Sequence, residues 1–149
     1  MTEVEEGLLK LPYPSEYQRA SLEFEKFLED ARDISGLMTT NQAYTMVQGV
    51  FQTFRRRLSL AQAIEFANIL PPVLRSLFME DWKTNESIQQ FSTRAQMTLE
   101  VQSLRKEHNF SPDTAIRDVA EAVRRNVAQA HLDRVLGELP HGAKDFWAT

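Results

Sequence analysis

From Ser15 onward the apolar residues recur at helical spacing, and no run of four or more alternates in the manner of a half-buried strand. Tyr17, Ala20, Phe24, Phe27, Leu28, Ala31 and Ile34 fall on one face at steps of three and four, and Gly36 supplies a stop. Ser15 with Gln18 has the spacing of a capping box, so one long helix is expected from Ser15 to Gly36. Thr39 with Gln42 repeats that spacing ahead of a stripe of Val47, Val50, Phe51, Phe54 and Leu58. Ser59 with Gln62 opens a third helix, which must end near Leu70 because a residue before proline is steered away from helical angles. Pro71 suits the first turn of a short helix carrying Val73, Leu74, Leu77 and Phe78. The chain from Asp81 to Ser92 is more polar and reads as a loop. Thr93 with Gln96 then caps a helix bearing Met97, Val101 and Leu104. Ser111, Pro112 and Asp113 combine a cap hydroxyl, a first-turn proline and an acid at the positive dipole end, so another helix is expected from Pro112. The expected fold is all-α, with about eight helices in a bundle.

Sliding the sequence over itself by 69 residues lays Val47 to Phe78 on Ile116 to Trp147. Val50 meets Val119, Arg55 and Arg56 meet Arg124 and Arg125, Ala61 meets Ala130, and Leu70-Pro71 meets Leu139-Pro140. Each copy reads as a long helix ending in basic residues, a medium helix ending at Leu-Pro, and a short helix. One such trio buries its apolar stripe poorly alone, which predicts two pseudo-symmetric repeats clasped around a common core. The expected organisation is a flexible acidic segment over 1–14 and a single domain over 15–149. Within that domain the repeats cover about 37–82 and 109–149, joined by a connecting helix over about 92–108. The reading that two helical hairpins match by chance patterning stays open beside it.

At these residues the chain resembles the bacterial domain of unknown function family 2267 (DUF2267). The resemblance is carried by Arg55-Arg56-Arg57, by Leu70-Pro71-Pro72-Val73-Leu74-Arg75, by Asn109-Phe110-Ser111-Pro112-Asp113, and by Leu139-Pro140 with Phe146-Trp147. It covers the chain from roughly Ser15 onward. It implies a two-repeat helical protein, and it implies no reaction and no role for any residue. The second copy has His141-Gly142-Ala143 in place of Pro72-Val73-Leu74, so the last helix is expected to pack more loosely than its counterpart.

Composition narrows the functional classes. With 149 residues, 42% apolar, and only five glycines and six prolines, the chain has the profile of one ordinary globular domain. It has no cysteine, which excludes disulfides and thiolate metal sites. No apolar stretch approaches the roughly 20 residues of a spanning helix, and Glu3, Glu5 and Glu6 do not fit the basic start of a signal peptide. A cytoplasmic location away from the membrane is therefore expected. The net charge is -4, with residues 1–36 acidic (-5) and residues 37–80 mildly basic (+2). That balance argues against nucleic acid as a partner, since phosphate tracking needs a basic surplus.

The candidate chemistry is sparse. Arg55, Arg56 and Arg57 point about 100° apart on a helix and cannot converge on one ligand. Arg56 should face solvent, with Arg55 and Arg57 flanking the apolar edge. Cations in a last helical turn also favour its negative dipole end, a structural use that fits Arg124 and Arg125 equally. The functional alternative is that Arg55 and Arg124 meet phosphate or carboxylate on a partner. His108, His131 and His141 lack metal-ligand spacing, His131 and Asp133 face apart, and His141 with Asp145 makes at most an ordinary surface pair. No nucleophile elbow, zinc-protease string or glycine-rich phosphate loop is present, so no catalytic residue, metal or cofactor is assigned. Carboxylates from distant helices leave an enzyme open. Trp82 and Trp147 each follow a short helix and read either as lids on the core or as anchors for a partner. The leading expectation is a non-enzymatic protein-interaction or scaffold module. It would bind another protein or itself near the two Leu-Pro turns, with Arg55, Arg124, Trp82 and Trp147 as candidate contacts. The alternative is a small anionic ligand held between the repeats.

Overall fold

A computed structural model describes residues 13–149. Among them there are nine α-helices and no strand: α1 (Ser15–Gln18), α2 (Ala20–Ser35), α3 (Thr40–Arg55), α4 (Leu60–Asn68), α5 (Pro72–Met79), α6 (Arg94–Ser103), α7 (Ala115–Asn126), α8 (Gln129–Glu138) and α9 (Ala143–Phe146). A 3₁₀ turn at Lys106–His108 lies between α6 and α7. The all-α expectation holds. The expected flexible acidic segment lies, up to residue 12, outside the described residues.

α3 is the central helix, packed on α2, α5, α6 and α7. Its sequence accounts for this position, because Ala43, Met46, Val47, Val50, Phe51, Thr53 and Phe54 are buried around most of its circumference. Gly49 lets α6 come close: a Cβ there would sit 2.8 Å from the Val101 carbonyl oxygen. α2 lies against both α3 and α7, and α8 bridges α4 and α9. The amphipathic stripe of α2 is met by Phe27, Leu28 and Ala31, all buried.

The capping signals fare unequally. Ser59 and Gln62 form the full reciprocal box. Thr39 and Thr93 each accept from the backbone N–H three residues on, at 3.1 and 3.2 Å. The glutamine of each pair turns elsewhere: Gln42 accepts from the Met38 N–H, and Gln96 meets the Ser92 hydroxyl. The long helix expected from Ser15 is broken at Arg19, whose φ of -103° and ψ of 7° leave the helical region. Ser15 is the first residue of α1 and makes no cap, because Gln18 reaches back to the Tyr13 carbonyl instead. The helix expected from Pro112 starts three residues later. Ser111 is turned inward and buried, and Asp113 accepts from Gln102, so neither serves the N-terminus. At the other proline signal, Pro72 rather than Pro71 holds the first helical position.

α4 and α8 begin at residues 60 and 129, which are 69 apart, and α3 ends at Arg55 while α7 runs through Arg124 and Arg125, the counterparts of Arg55 and Arg56 under the same shift. Buried positions correspond as well. Val47, Val50, Phe54, Ala63, Phe66 and Phe78 and their counterparts Ile116, Val119, Val123, Leu132, Val135 and Trp147 are all buried. α9 is shorter than α5, yet Ala143, Phe146 and Trp147 are fully packed, so the looser packing expected of the last helix is not found. Gly142 adopts φ +110°, and the Phe91 ring lies where its Cβ would be.

Candidate functional site

Four arginines terminate helices. The last carbonyls of a helix have no partner within it, and a guanidinium can donate to several at once. Arg55, in the last turn of α3, donates to the Phe78 oxygen at 2.8 Å and the Glu80 oxygen at 2.5 Å, at the end of α5. Arg124, in the last turn of α7, donates to the Trp147 oxygen from Nε and Nη2, at 3.1 and 2.8 Å, at the end of α9. Phe78 and Trp147 are partners under the 69-residue shift, so the two arginines make equivalent bonds. Arg75 reaches the Ala67 and Leu70 oxygens, and Arg94 reaches those of Asp145, Phe146 and Ala148.

The arginine cluster also holds the loop between α5 and α6. Arg55 and Arg57 are buried and Arg56 is half-exposed, the division that the 100° step requires. The Arg56 carbonyl accepts from the Gln89 N–H at 3.0 Å. Arg57 donates to the Gln90 oxygen and makes a two-pronged pair with Glu100 on α6, at 2.6 and 3.0 Å. Sequence reasoning missed this anchor, because Arg57 and Glu100 lie 43 residues apart with no local pattern to connect them.

Beneath the gripped loop lies a cleft of about 340 Å³, lined on one side by the α3–α4 corner and on the other by residues 81–88. Arg55 and Trp82 meet in it, with the guanidinium carbon 5.7 Å from the indole centroid, an attraction of cation and ring face. Burial and the neighbouring Arg56 push the Arg55 pKa down, and Asp81, Glu80 and Glu86 push against that fall. Asp81 sits at φ 55°, a left-handed conformation that aspartate tolerates better than most residues. Leu60 and Ile88 line the cleft and are 47% and 59% exposed. Ile64, one turn beyond Leu60 on α4, is 44% exposed.

The structure therefore joins the four candidates as two separate pairs, Arg55 with Trp82 and Arg124 with Trp147. Arg55 lines the cleft and Arg124 does not, so the two arginines share no pocket there. Trp82 is half-buried. Trp147 is wholly buried, stacked on Phe66 at 5.4 Å and edge-on to Phe54 at 5.2 Å, and its indole N–H finds no acceptor among the described residues. A second depression of about 430 Å³ adjoins the first Leu-Pro turn, between Phe24, Phe27, Pro71, Val73 and Val127. Among the described residues no group of three or more His, Asp or Glu side chains is placed to hold a metal, and no helix is long and apolar enough to cross a membrane.

No curated protein is significantly similar to this chain. A family model described as an uncharacterized conserved protein, DUF2267, matches residues 24–146, from within α2 to the end of α9. The chain belongs to the DUF2267 family.

Proposed function

We propose that this chain is a non-enzymatic helical module of the cytoplasm, built from two related helical trios, that binds a polypeptide through the cleft and the adjoining face of α4. The observation that carries this reading is the patch of Leu60, Ile64 and Ile88. Large apolar side chains stand open to water there beside the half-buried Trp82. An aromatic anchor at the edge of an exposed apolar patch, rimmed by charges, is the usual composition of a contact surface. The patch runs along the helix that ends at the first Leu-Pro turn. The alternative of an anionic ligand between Arg55 and Arg124 has no comparable support, since both guanidiniums are engaged with backbone carbonyls.

The test is selection of a phage-displayed random peptide library on the full chain, with counter-selection on the Leu60→Gln/Ile64→Asp variant. Enrichment of peptides that bind wild type and lose at least tenfold in affinity on the variant is expected. No enrichment, or equal binding to both proteins, overturns the reading.

A further inference from the structure

The turn between α6 and α7 carries an arginine where the first half carries a glycine. Under the 69-residue shift Arg105 corresponds to Gly36, and both lie in the left-handed region, at φ 49° and 78°. Glycine takes that conformation freely, whereas a side chain there is crowded by its own backbone. Arg105 is therefore held at a cost that Gly36 avoids. No hydrogen bond or ion pair of its guanidinium offsets that cost among the described residues. The turn itself is firmly fixed. The Asn109 amide donates to the Val101 and Leu104 oxygens, both at 2.8 Å, and the His108 N–H donates to the Arg105 oxygen at 2.7 Å.

Arg105 and His108 thereby face the first turns of α3, and with Asn41, Gln42, Tyr44 and Thr45 they line a cleft of about 280 Å³. It lies roughly 15 Å along α3 from the cleft at Arg55. Every side chain of this lining can donate a hydrogen bond, and none is a carboxylate. Thr45 is engaged with the Asn41 carbonyl. The Gln42 side-chain oxygen is taken by the Met38 N–H, which leaves its NH2 group to donate. The side chains of Asn41, Tyr44 and His108 have no hydrogen-bond partner among the described residues. Burial raises the Tyr44 pKa above its ordinary value of 10.0, with Glu80 and Asp81 adding to the rise and Arg105 opposing it, so the phenol remains a donor at neutral pH. Glu107, in the same turn as Arg105, lines no part of the cleft, and Glu80 and Asp81 line other depressions.

We infer that this cleft binds a phosphate monoester, with Arg105 as the cation that meets the phosphoryl oxygens and Asn41, Gln42, Tyr44 and His108 as the donors around them. A guanidinium offers paired N–H groups to such oxygens. A phosphoryl group presents three strong acceptor oxygens and a carboxylate two, so the phosphoryl group uses more of the unspent donors. The site is separate from the α4 face and does not depend on its role.

NMR of the full chain, titrated with phenyl phosphate against chloride at matched ionic strength, tests the inference. Saturable shifts of the Arg105 Nε–H and of the Asn41 and Gln42 NH2 signals are expected, with a dissociation constant of about 1 mM or tighter. Acetate is expected to bind at least tenfold more weakly, and inorganic phosphate more weakly than the ester. Arg105→Gly supplies the residue that the first half already bears, and should lose at least tenfold in affinity without a fall in melting temperature. Gln42→Glu keeps the acceptor for the Met38 N–H, sets a carboxylate in the lining, and should lose at least as much; it decides by the same criterion should Arg105→Gly unfold. Absence of these shifts, equal shifts in chloride, or affinity indifferent to either folded variant overturns the site. Acetate or inorganic phosphate binding as tightly as phenyl phosphate overturns the assignment of the ligand as a phosphate monoester.

Discussion

Asp118 is a carboxylate 2% exposed on the buried side of α7, and its side-chain hydrogen bond comes from the Thr114 hydroxyl at 2.6 Å. Burial holds its pKa above the ordinary value of 3.8, against the pull of Thr114 and Arg117. The folded state therefore binds this proton more tightly than the unfolded state does. Stability conferred at low pH is lost as pH climbs from about 3.8 through the folded-state value, and the cost persists at neutrality. Asp118→Asn keeps an acceptor for Thr114 and removes the charge. It should raise the melting temperature by a few degrees near pH 7 and by almost nothing near pH 3, as differential scanning calorimetry across that range would reveal. The direction in which each arginine points was legible from the 100° step alone. Apart from the Thr53 carbonyl, one turn back from Arg57, the groups that Arg55 and Arg57 bond were not, because those carbonyls and Glu100 lie 23 to 43 residues away and become neighbours only through tertiary packing.

Elements were most legible where a hydroxyl and an apolar stripe agreed, as at Ser59 and Thr39. They were least legible where a tertiary contact outbid a local signal. Ser111 has the makings of a cap, but its N–H is taken by the Asn109 side-chain oxygen, its carbonyl and the Asp113 carboxylate are taken by Gln102, and its hydroxyl is left buried with no partner among the described residues. At Gly142 the loop contributed by the first half intervenes, since Phe91 packs on Phe54 and Phe146 and closes over the glycine. A side chain at Gly142 would be strained by φ +110° and would strike that ring, so Gly142→Ala should cost about 1–3 kcal/mol. Gly137 is the contrasting case, in helical conformation within α8 with nothing near its missing Cβ. Gly137→Ala should stabilise by about 0.5 kcal/mol by restricting the unfolded chain. Urea melts of the two variants beside wild type would show midpoints moving in opposite directions.

Across the whole molecule, the aromatic residues tie the halves together. Phe51, Phe54 and Phe66 come from the first half, Phe146 and Trp147 from the second, and their ring centroids are 5.0 to 6.3 Å apart where the two sets meet. Shared buried contacts of this kind make the halves one cooperative unit rather than two. Thermal unfolding of a Trp82→Phe variant, in which Trp147 alone reports, followed by helical CD and by tryptophan fluorescence should give coincident single transitions; an earlier fluorescence change would mean that α9 detaches on its own. The buried position of Trp147 also bears on how the protein is made. A ribosome releases Phe146 and Trp147 only after the aromatic residues they pack against, so the nascent chain carries Phe51, Phe54, Phe66 and Phe91 with their final neighbours still missing. Until those two rings arrive, the unfinished polypeptide offers an oily cavity of the kind that chaperones recognise, and translation sets the moment at which it closes.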